Sequence, residues 1–266
     1  MNAIVQEVRL FWTAVTLLTR LPAPRLKGFE ETWLARSAFW FPVVGLIVGL
    51  LAAAVHWLAA RLWPEPVPAV LTLAVAAWLT GGLHEDGWAD FFDGLAASRS
   101  GRDPKRMLEA MKDSRIGSTG GLALILLLLG KMGAIGSLGI LPVPRVAAAL
   151  IAAHVLSRWS HLPLLWKLPY ARPEGGMAQA LAGGVSTARL LSGTFVTVLI
   201  AAALLRWAAL PPLACAAAAT LAAGLFFRRR LGGITGDCLG ATNQLVELVV
   251  LLALAARWPP LPLPLP

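Results

Sequence analysis

Residues Ser37–Trp63 read SAFWFPVVGLIVGLLAAAVHWLAARLW, and this stretch decides the class of the protein. It carries Arg61 near its end and contains no acidic residue. A helix needs roughly 20 predominantly apolar residues to cross the hydrocarbon core of a bilayer. The stretch therefore predicts a transmembrane helix.

Similar apolar stretches recur along the chain. They predict further spans at Ala69–Leu83, Thr119–Leu141, Arg145–Leu165, Ala188–Trp207, Pro212–Phe227 and Gly240–Trp258. The shorter Val8–Leu21, followed by Pro22 and Pro24, predicts an interfacial or re-entrant helix. We expect one all-α, polytopic membrane domain over residues 1–266, with about seven transmembrane helices. The proline-rich residues 259–266 (PPLPLPLP) predict an extended tail.

The composition agrees with a membrane protein. The 266 residues are 58% hydrophobic and 14% charged, whereas soluble domains carry roughly 25% charged residues. The apolar runs do not alternate with period 2, which argues against an outer-membrane barrel. Cys215 and Cys238 are far apart and predict no disulfide framework. The first residues, Met1–Arg9, do not read as a signal peptide.

The net charge of +9 comes from basic residues between the apolar runs, which is typical of cytoplasmic loops rather than of nucleic-acid binding. With the N-terminus inside, 18 of the 23 Lys and Arg residues fall in four cytoplasmic stretches: Met1–Arg36, His84–Ser118, Ser157–Arg189 and Arg228–Leu239. Twelve of the 14 acidic residues fall on the same face. The sequence therefore predicts a cytoplasmic N-terminus and cytoplasmic catalytic loops.

The densest acidic group lies in the string HEDGWADFFDG, residues 84–94. In one helix Asp86, Asp90 and Asp93 occupy positions i, i+4 and i+7 and share a face. Like charges at this spacing repel one another, and the repulsion grows near lipid. Mg²⁺ offsets such a charge, because it joins a few carboxylates to substrate phosphates. The alternatives are an acidic, solvated helix end and a His84 that is only hydrogen-bonded.

A second group is KDSRIGSTGG, Lys112–Gly121. Its Gly, Ser and Thr residues precede a predicted span, and a helix that starts this way offers free backbone N–H groups to a phosphate. Lys112 and Arg115 flank Asp113 and add positive charge. The alternative is a plain helix cap with basic residues that reach toward solvent.

Two further groups are less specific. The loop LGGITGDCLG, Leu231–Gly240, contains Asp237 and four glycines that allow a ligand to approach the backbone closely; a flexible loop is the alternative. Glu247 lies inside the last span, where a carboxylate is a functional candidate or pairs with a basic residue of a neighbouring helix. Residues 157–176 contribute polar side chains that alone would indicate only a basic loop: Arg158, Arg172 and Glu174.

The string GGLHEDGWADFFDGL (81–95), followed by MLEAMKDSRIGSTGGLAL (107–124), resembles the cobalamin-5′-phosphate synthase family, also called adenosylcobinamide-GDP ribazoletransferase. LTRLPAP (18–24), YARPEG (170–175) and LGGITGDCLGA (231–241) are similar to further family motifs. These strings appear in family order, and the resemblance covers nearly the whole chain.

The resemblance implies the last step of the cobalamin nucleotide loop. α-Ribazole or its 5′-phosphate attacks the diphosphate of adenosylcobinamide-GDP, GMP leaves, and a phosphodiester remains. It implies Mg²⁺ as cofactor, a bacterial inner-membrane location among membrane lipids, and no nucleic-acid partner; it leaves homo-oligomerisation open.

The family motifs assign roles to residues of this chain. The implied catalytic residues are His84, Asp86, Asp90, Asp93 and Asp113. The implied metal ligands are Asp86, Asp90, Asp93 and Asp237. The implied substrate-binding residues are Lys112, Ser114, Arg115, Arg158, Arg172, Glu174, Gly233, Thr235, Gly236, Asp237 and Glu247.

The sequence departs from the family pattern at three places. Glu85 stands where an apolar residue is usual, Gly176–Met177 replaces Leu–Gly, and Gln244 stands where Glu is frequent. Two other functions stay open on the residues alone. One is a lipid phosphotransferase that uses a CDP-alcohol, and the other is a proton-coupled transporter with Asp90 and Glu247 as relays.

Overall fold

The computed structural model describes residues 3–26, 28–99 and 102–256. The described part is helical, and its only β-type pairing is an isolated bridge between Tyr170 and Ile234. The all-α prediction is confirmed. The predicted extended tail, residues 259–266, lies outside the described residues.

Twelve α-helices follow one another along the described chain. They are α1 (Ala3–Leu18), α2 (Thr32–Ser37), α3 (Phe41–Ala59), α4 (Val67–Thr80), α5 (Leu83–Ala97), α6 (Pro104–Ala110), α7 (Ser118–Leu138), α8 (Val143–Trp159), α9 (His161–Lys167), α10 (Thr187–Leu205), α11 (Leu210–Arg230) and α12 (Gly236–Ala255). Short 3-10 helices occupy Ala38–Trp40, Met177–Ala180 and Arg206–Ala209.

Several helical segments are long and apolar enough to cross a membrane. Four qualify on their own: Thr32–Ala59, Ser118–Leu138, Thr187–Arg230 and Gly236–Ala255. A fifth arises if the bent pair α4 and α5 is counted as one span. The membrane class is thus supported, but the count of seven is not confirmed. The difference has three causes. Helices α4 and α8 have only 14 and 17 residues, and α10 and α11 join into one segment of 44 residues. Counting α4 with α5 removes the first cause and gives five.

The predicted second span, Ala69–Leu83, does not continue as one helix into the acidic string HEDGWADFFDG. Helix α4 ends at Thr80, and the chain bends by 91° before α5 begins at Leu83. Gly81 and Gly82 make the bend with φ angles of 68° and 71°, a left-handed conformation that glycine adopts without steric penalty. The acidic helix α5 therefore leaves the direction of α4 and lies outside the four spanning segments.

Glycines hold the buried helices close together. A Cβ atom on Gly49 of α3 would lie 2.7 Å from the Cα of Ile151 on α8, and a Cβ on Gly45 would overlap the carbonyl of His154. Small residues four apart allow such close backbone contact in membrane proteins. By contrast, Leu122 on α7 is exposed, as expected for a side chain that faces lipid.

Candidate active site

The acidic stripe lies on one continuous helix, α5, so the predicted spacing of Asp86, Asp90 and Asp93 is realised. Helix α12 crosses α5 at a pair of glycines. A Cβ atom on Gly87 would meet the Cα of Gly240 at 3.2 Å and the Cα of Asp237 at 3.1 Å. The absence of side chains at this crossing brings the carboxylate of a second helix beside the stripe.

The carboxylates are close enough to act on one another. Partial burial and, next, the negative charges of Asp86, Asp237 and Asp93 together raise the pKa of Asp90 to about 7, against the opposing effect of Arg172. Crowded carboxylates that disfavour ionisation create a place where a cation is stabilised. The charge of this face therefore suits a divalent ion.

Asp93 has a specific structural role. One of its oxygens accepts a hydrogen bond from the backbone N–H of Gly117 and the other accepts one from Gly120, each at 2.7 Å. Its carboxylate therefore occupies the N-terminus of α7, where negative charge is favoured by the helix dipole. The sequence suggested that this helix start binds a substrate phosphate. At the N–H groups of Gly117 and Gly120, the carboxylate of Asp93 already accepts the hydrogen bonds that a phosphate would accept.

The loop between α6 and α7 carries exposed charges. Lys112 pairs with Glu174 across the loops. Arg115 donates to Asp113 at 2.7 and 3.0 Å, and these hydrogen bonds lower the pKa of Asp113 to about 2. Ser114 is exposed between them. The loop thus presents Lys112 and Arg115 at the surface, where phosphate oxygens can reach them.

Arg172 ties this loop to α12. Its Nη2 donates to the carboxylate of Asp237 at 2.9 Å and to the carbonyl of Met111 at 3.4 Å. Thr235 caps α12, since its Oγ1 accepts from the N–H of Cys238 at 3.3 Å. The hydroxyl also lies 3.3 Å from Asp237. Arg172, from the group at residues 157–176, therefore lies beside the other three sequence groups. These are α5, the α6–α7 loop and the start of α12.

Two glycines of the loop before α12, Gly233 and Gly236, have different surroundings. The backbone around Gly233 pairs with another loop, because the N–H of Ile234 donates to the carbonyl of Pro169 at 2.9 Å. A Cβ atom on Gly233 would overlap that carbonyl, whereas one on Gly236 would meet nothing within 4 Å. The sequence predicted that a ligand approaches the backbone of this loop closely. At Gly233 the carbonyl of Pro169 takes that place, whereas the space beside Gly236 is free.

Arg158, Glu247 and His84 lie elsewhere, in the interior. Their exposed fractions are 1%, 4% and 2%. Glu247 accepts from Lys131 at 2.7 Å and lies 3.3 Å from His154 and 3.5 Å from Arg158. Glu247 thus pairs with basic residues of neighbouring helices, which is the alternative left open by the sequence, and a substrate does not reach these residues in this structure.

His84 projects away from the stripe of aspartates. Its ring lies 5.7 Å from that of His161. Neither ring nitrogen has a hydrogen-bond partner among residues 3–26, 28–99 and 102–256. The structure does not bring its ring together with the open carboxylates.

Three residues that were not among the predicted site residues have notable contacts: Arg20 lies beside the acidic stripe, and Gln244 and Lys131 belong to the buried network around Glu247. Arg20 lines an open cleft of about 560 Å³ together with Glu85 and Asp86, and its guanidinium lies 3.5 Å from the carbonyl of Gly81. Gln244 contacts Lys131 and donates to Glu85 at 3.1 Å. Two sequence signals could have identified such residues. Arg20 belongs to the family-like string 18–24, and Lys131 is a single cation within the predicted span Thr119–Leu141.

The carboxylates of the site are candidate ligands for a metal ion. Within the described ranges no three His, Cys, Asp or Glu side chains are arranged to hold one ion as they stand. Both oxygens of Asp93 already accept backbone hydrogen bonds. The donor chemistry still fits Mg²⁺, because this ion is usually held by one or two carboxylates plus substrate phosphates, and Asp86 and Asp90 supply such a pair.

Comparisons with known proteins identify the family of the chain. The family model described as cobalamin-5-phosphate synthase matches residues 10–255. The chain is 43% identical to the adenosylcobinamide-GDP ribazoletransferase of Leptothrix cholodnii, covering 97% of this chain and 99% of the relative. It is 40% identical to that of Polaromonas sp. (96% and 99% covered) and 38% identical to that of Brevibacillus brevis (93% and 98% covered). No solved structure matches. On this evidence of sequence, the chain belongs to the cobalamin-5-phosphate synthase family.

Proposed function

We propose that this protein joins adenosylcobinamide-GDP to α-ribazole or its 5′-phosphate and releases GMP, which completes the cobalamin. The observation that carries the proposal is the convergence of Asp86, Asp90 and Asp237 with Arg172 at one face of a chain from this family. The names of the curated relatives supply the substrates. The basic residues between the apolar segments favour the bacterial inner membrane with a cytoplasmic N-terminus.

In the proposed reaction the acceptor hydroxyl attacks the phosphorus that stays on the cobinamide. A new P–O bond forms, the bond to GMP breaks, and the hydroxyl proton passes to a protein group. Such a displacement depends on positioning and on neutralising charge. Arg172, Lys112 and Arg115 bind phosphate oxygens, and one of the site carboxylates takes the proton. The buried ring of His84 serves this step less well because it is 2% exposed.

Mg²⁺ is the cofactor that we propose for this site. Asp86 and Asp90 would hold it, and Asp237 or Asp113 would complete the site in the presence of substrate. The ion neutralises the diphosphate charge when bound. Asp93 contributes chiefly by holding the start of α7, since its two oxygens accept backbone hydrogen bonds.

The test is transfer by the purified, full-length protein with adenosylcobinamide-GDP and α-ribazole, with and without Mg²⁺. Asp90→Asn should lower kcat at least a hundredfold, while Glu109→Gln, which removes an exposed carboxylate on α6, should keep wild-type turnover. GMP as the released nucleotide supports the proposal. CMP release from a CDP-alcohol would support the lipid phosphotransferase instead, and full turnover of the Asp90 variant would refute the metal site.

A further inference from the structure

A groove of about 400 Å³ lies between α9 and α11, and it does not include the acidic stripe. Leu164 and Leu168 line it from the α9 side, and Gly224 lines it from α11. A Cβ atom on Gly224 would come to 3.0 Å from the Cδ2 of Leu164. The missing side chain leaves a narrow trough between the two helices, open along its outer side.

The trough opens onto an exposed apolar surface of a candidate membrane span. Leu221 and Leu225 line it, and they are 64% and 43% exposed. Both belong to the spanning segment Thr187–Arg230, whose most apolar window is only 17% buried. Exposed leucines on a spanning helix face hydrocarbon chains, so the trough is shaped for an acyl chain rather than for water.

Two cations stand at one end of the trough. Lys167 and Arg228 line it, both are exposed, and no acidic residue lines it. Neither cation forms an ion pair with any residue that the structure describes. They share an end because the chain just beyond each of them is joined by the hydrogen bond from Ile234 to Pro169.

An aromatic side chain marks the same end as a membrane–water boundary. The Nζ of Lys167 lies 5.2 Å from the ring centroid of Trp166. Trp residues are enriched at the level of lipid headgroups, and long basic side chains reach to that level. The trough thus offers positive charge at headgroup depth and apolar walls below it.

We propose that this groove binds one anionic glycerophospholipid. Its phosphate lies between Lys167 and Arg228, and one acyl chain lies along Leu221 and Leu225. A free phosphate ion would satisfy the cations but would leave the apolar trough unfilled. The lipid joins the ends of α9 and α11, which lead directly into the paired loops that carry Arg172 and Asp237.

The test is lipid binding to the purified full-length protein by native mass spectrometry, with phosphatidylglycerol and phosphatidylcholine titrated separately. Lys167→Gln/Arg228→Gln should weaken phosphatidylglycerol binding about thirtyfold, because each basic residue at an anionic headgroup contributes roughly a factor of five. The matched control Arg229→Gln/Arg230→Gln also removes two positive charges, both from the end of α11 and both outside the groove lining. It should change binding less than about threefold.

A second variant tests the acyl part of the site. Ala217→Phe fills the groove from an exposed position and should reduce phosphatidylglycerol binding with both cations intact. Equal losses in the two charge variants would overturn the proposal in favour of diffuse attraction. Equal affinity for phosphatidylcholine, full displacement by inorganic phosphate, or unchanged binding by the Ala217 variant would each overturn it as well.

Discussion

Removing the charge of Lys131 tests whether the buried ion network holds the helices together. Lys131 on α7 and Glu247 on α12 have side chains that are 1% and 5% exposed, with 2.7 Å between their charged atoms. Removing one partner of a buried pair costs about 3–5 kcal/mol. Lys131→Met should lower the free energy of unfolding by about 3 kcal/mol, the low end of this range, because Glu247 keeps Arg158 and His154 beside it.

Neutralising the acidic partner, Glu247, should destabilise the protein more. Glu247→Gln leaves the cations Lys131 and Arg158 buried beside a neutral side chain. We therefore expect the free energy of unfolding to fall by about 5 kcal/mol or more. The assay is thermal unfolding of the detergent-purified protein, where 1 kcal/mol corresponds to about 2–4 °C in a chain of this size. Arg145→Met, an exposed cation at the start of α8, is the matched control and should shift Tm by less than about 2 °C. The reasoning is refuted if Lys131→Met is as harmless as the control, or if Glu247→Gln is the milder change.

Two further predictions concern the loops around the site. Asp93→Ala removes both acceptors at the start of α7 and should destabilise the protein by about 3 kcal/mol, with faster amide exchange at Gly117 and Gly120; Asp93→Asn, which keeps one acceptor, should fall between. Unchanged exchange in the alanine variant would contradict the capping role. Gly233→Ala should destabilise by about 2 kcal/mol or more, because its Cβ overlaps a backbone carbonyl, whereas Gly236→Ala should stay within about 1 kcal/mol. Chemical denaturation compares the two variants, and similar midpoints would contradict the close contact at Gly233.

Local patterns in the sequence were enough to predict the helices and the acidic stripe. Apolar runs mark membrane helices whatever their neighbours are, and the i, i+4, i+7 spacing of Asp86, Asp90 and Asp93 depends only on helix geometry. The distribution of basic and acidic residues predicted that the loops lie on one face, without using the motifs. The approach of Arg172 to Asp237 agrees with that placement.

Contacts between distant segments could not be predicted in the same way. The hydrogen bonds from Gly117 and Gly120 to Asp93 join residues 24 and 27 positions apart, and no local pattern distinguishes a phosphate at that helix start from the protein's own carboxylate. The number of spans also depends on context. Residues Arg206–Ala209 continue as a 3-10 helix between two apolar helices, where the sequence predicted a loop between separate spans.

Gly87 and Gly240 are in close contact where α5 and α12, the two helices that carry carboxylates of the candidate site, cross. The separation of α5 from α12 is set there by backbone atoms in van der Waals contact, not by side chains that can repack. Any larger residue at either position would move Asp237 away from Asp86 and Asp90 as a unit. An alanine at either position would push the helices apart by a few tenths of an ångström, and bulkier side chains would push them further. An engineer who wishes to admit a bulkier ligand without disturbing these carboxylates must therefore begin with the outer loops.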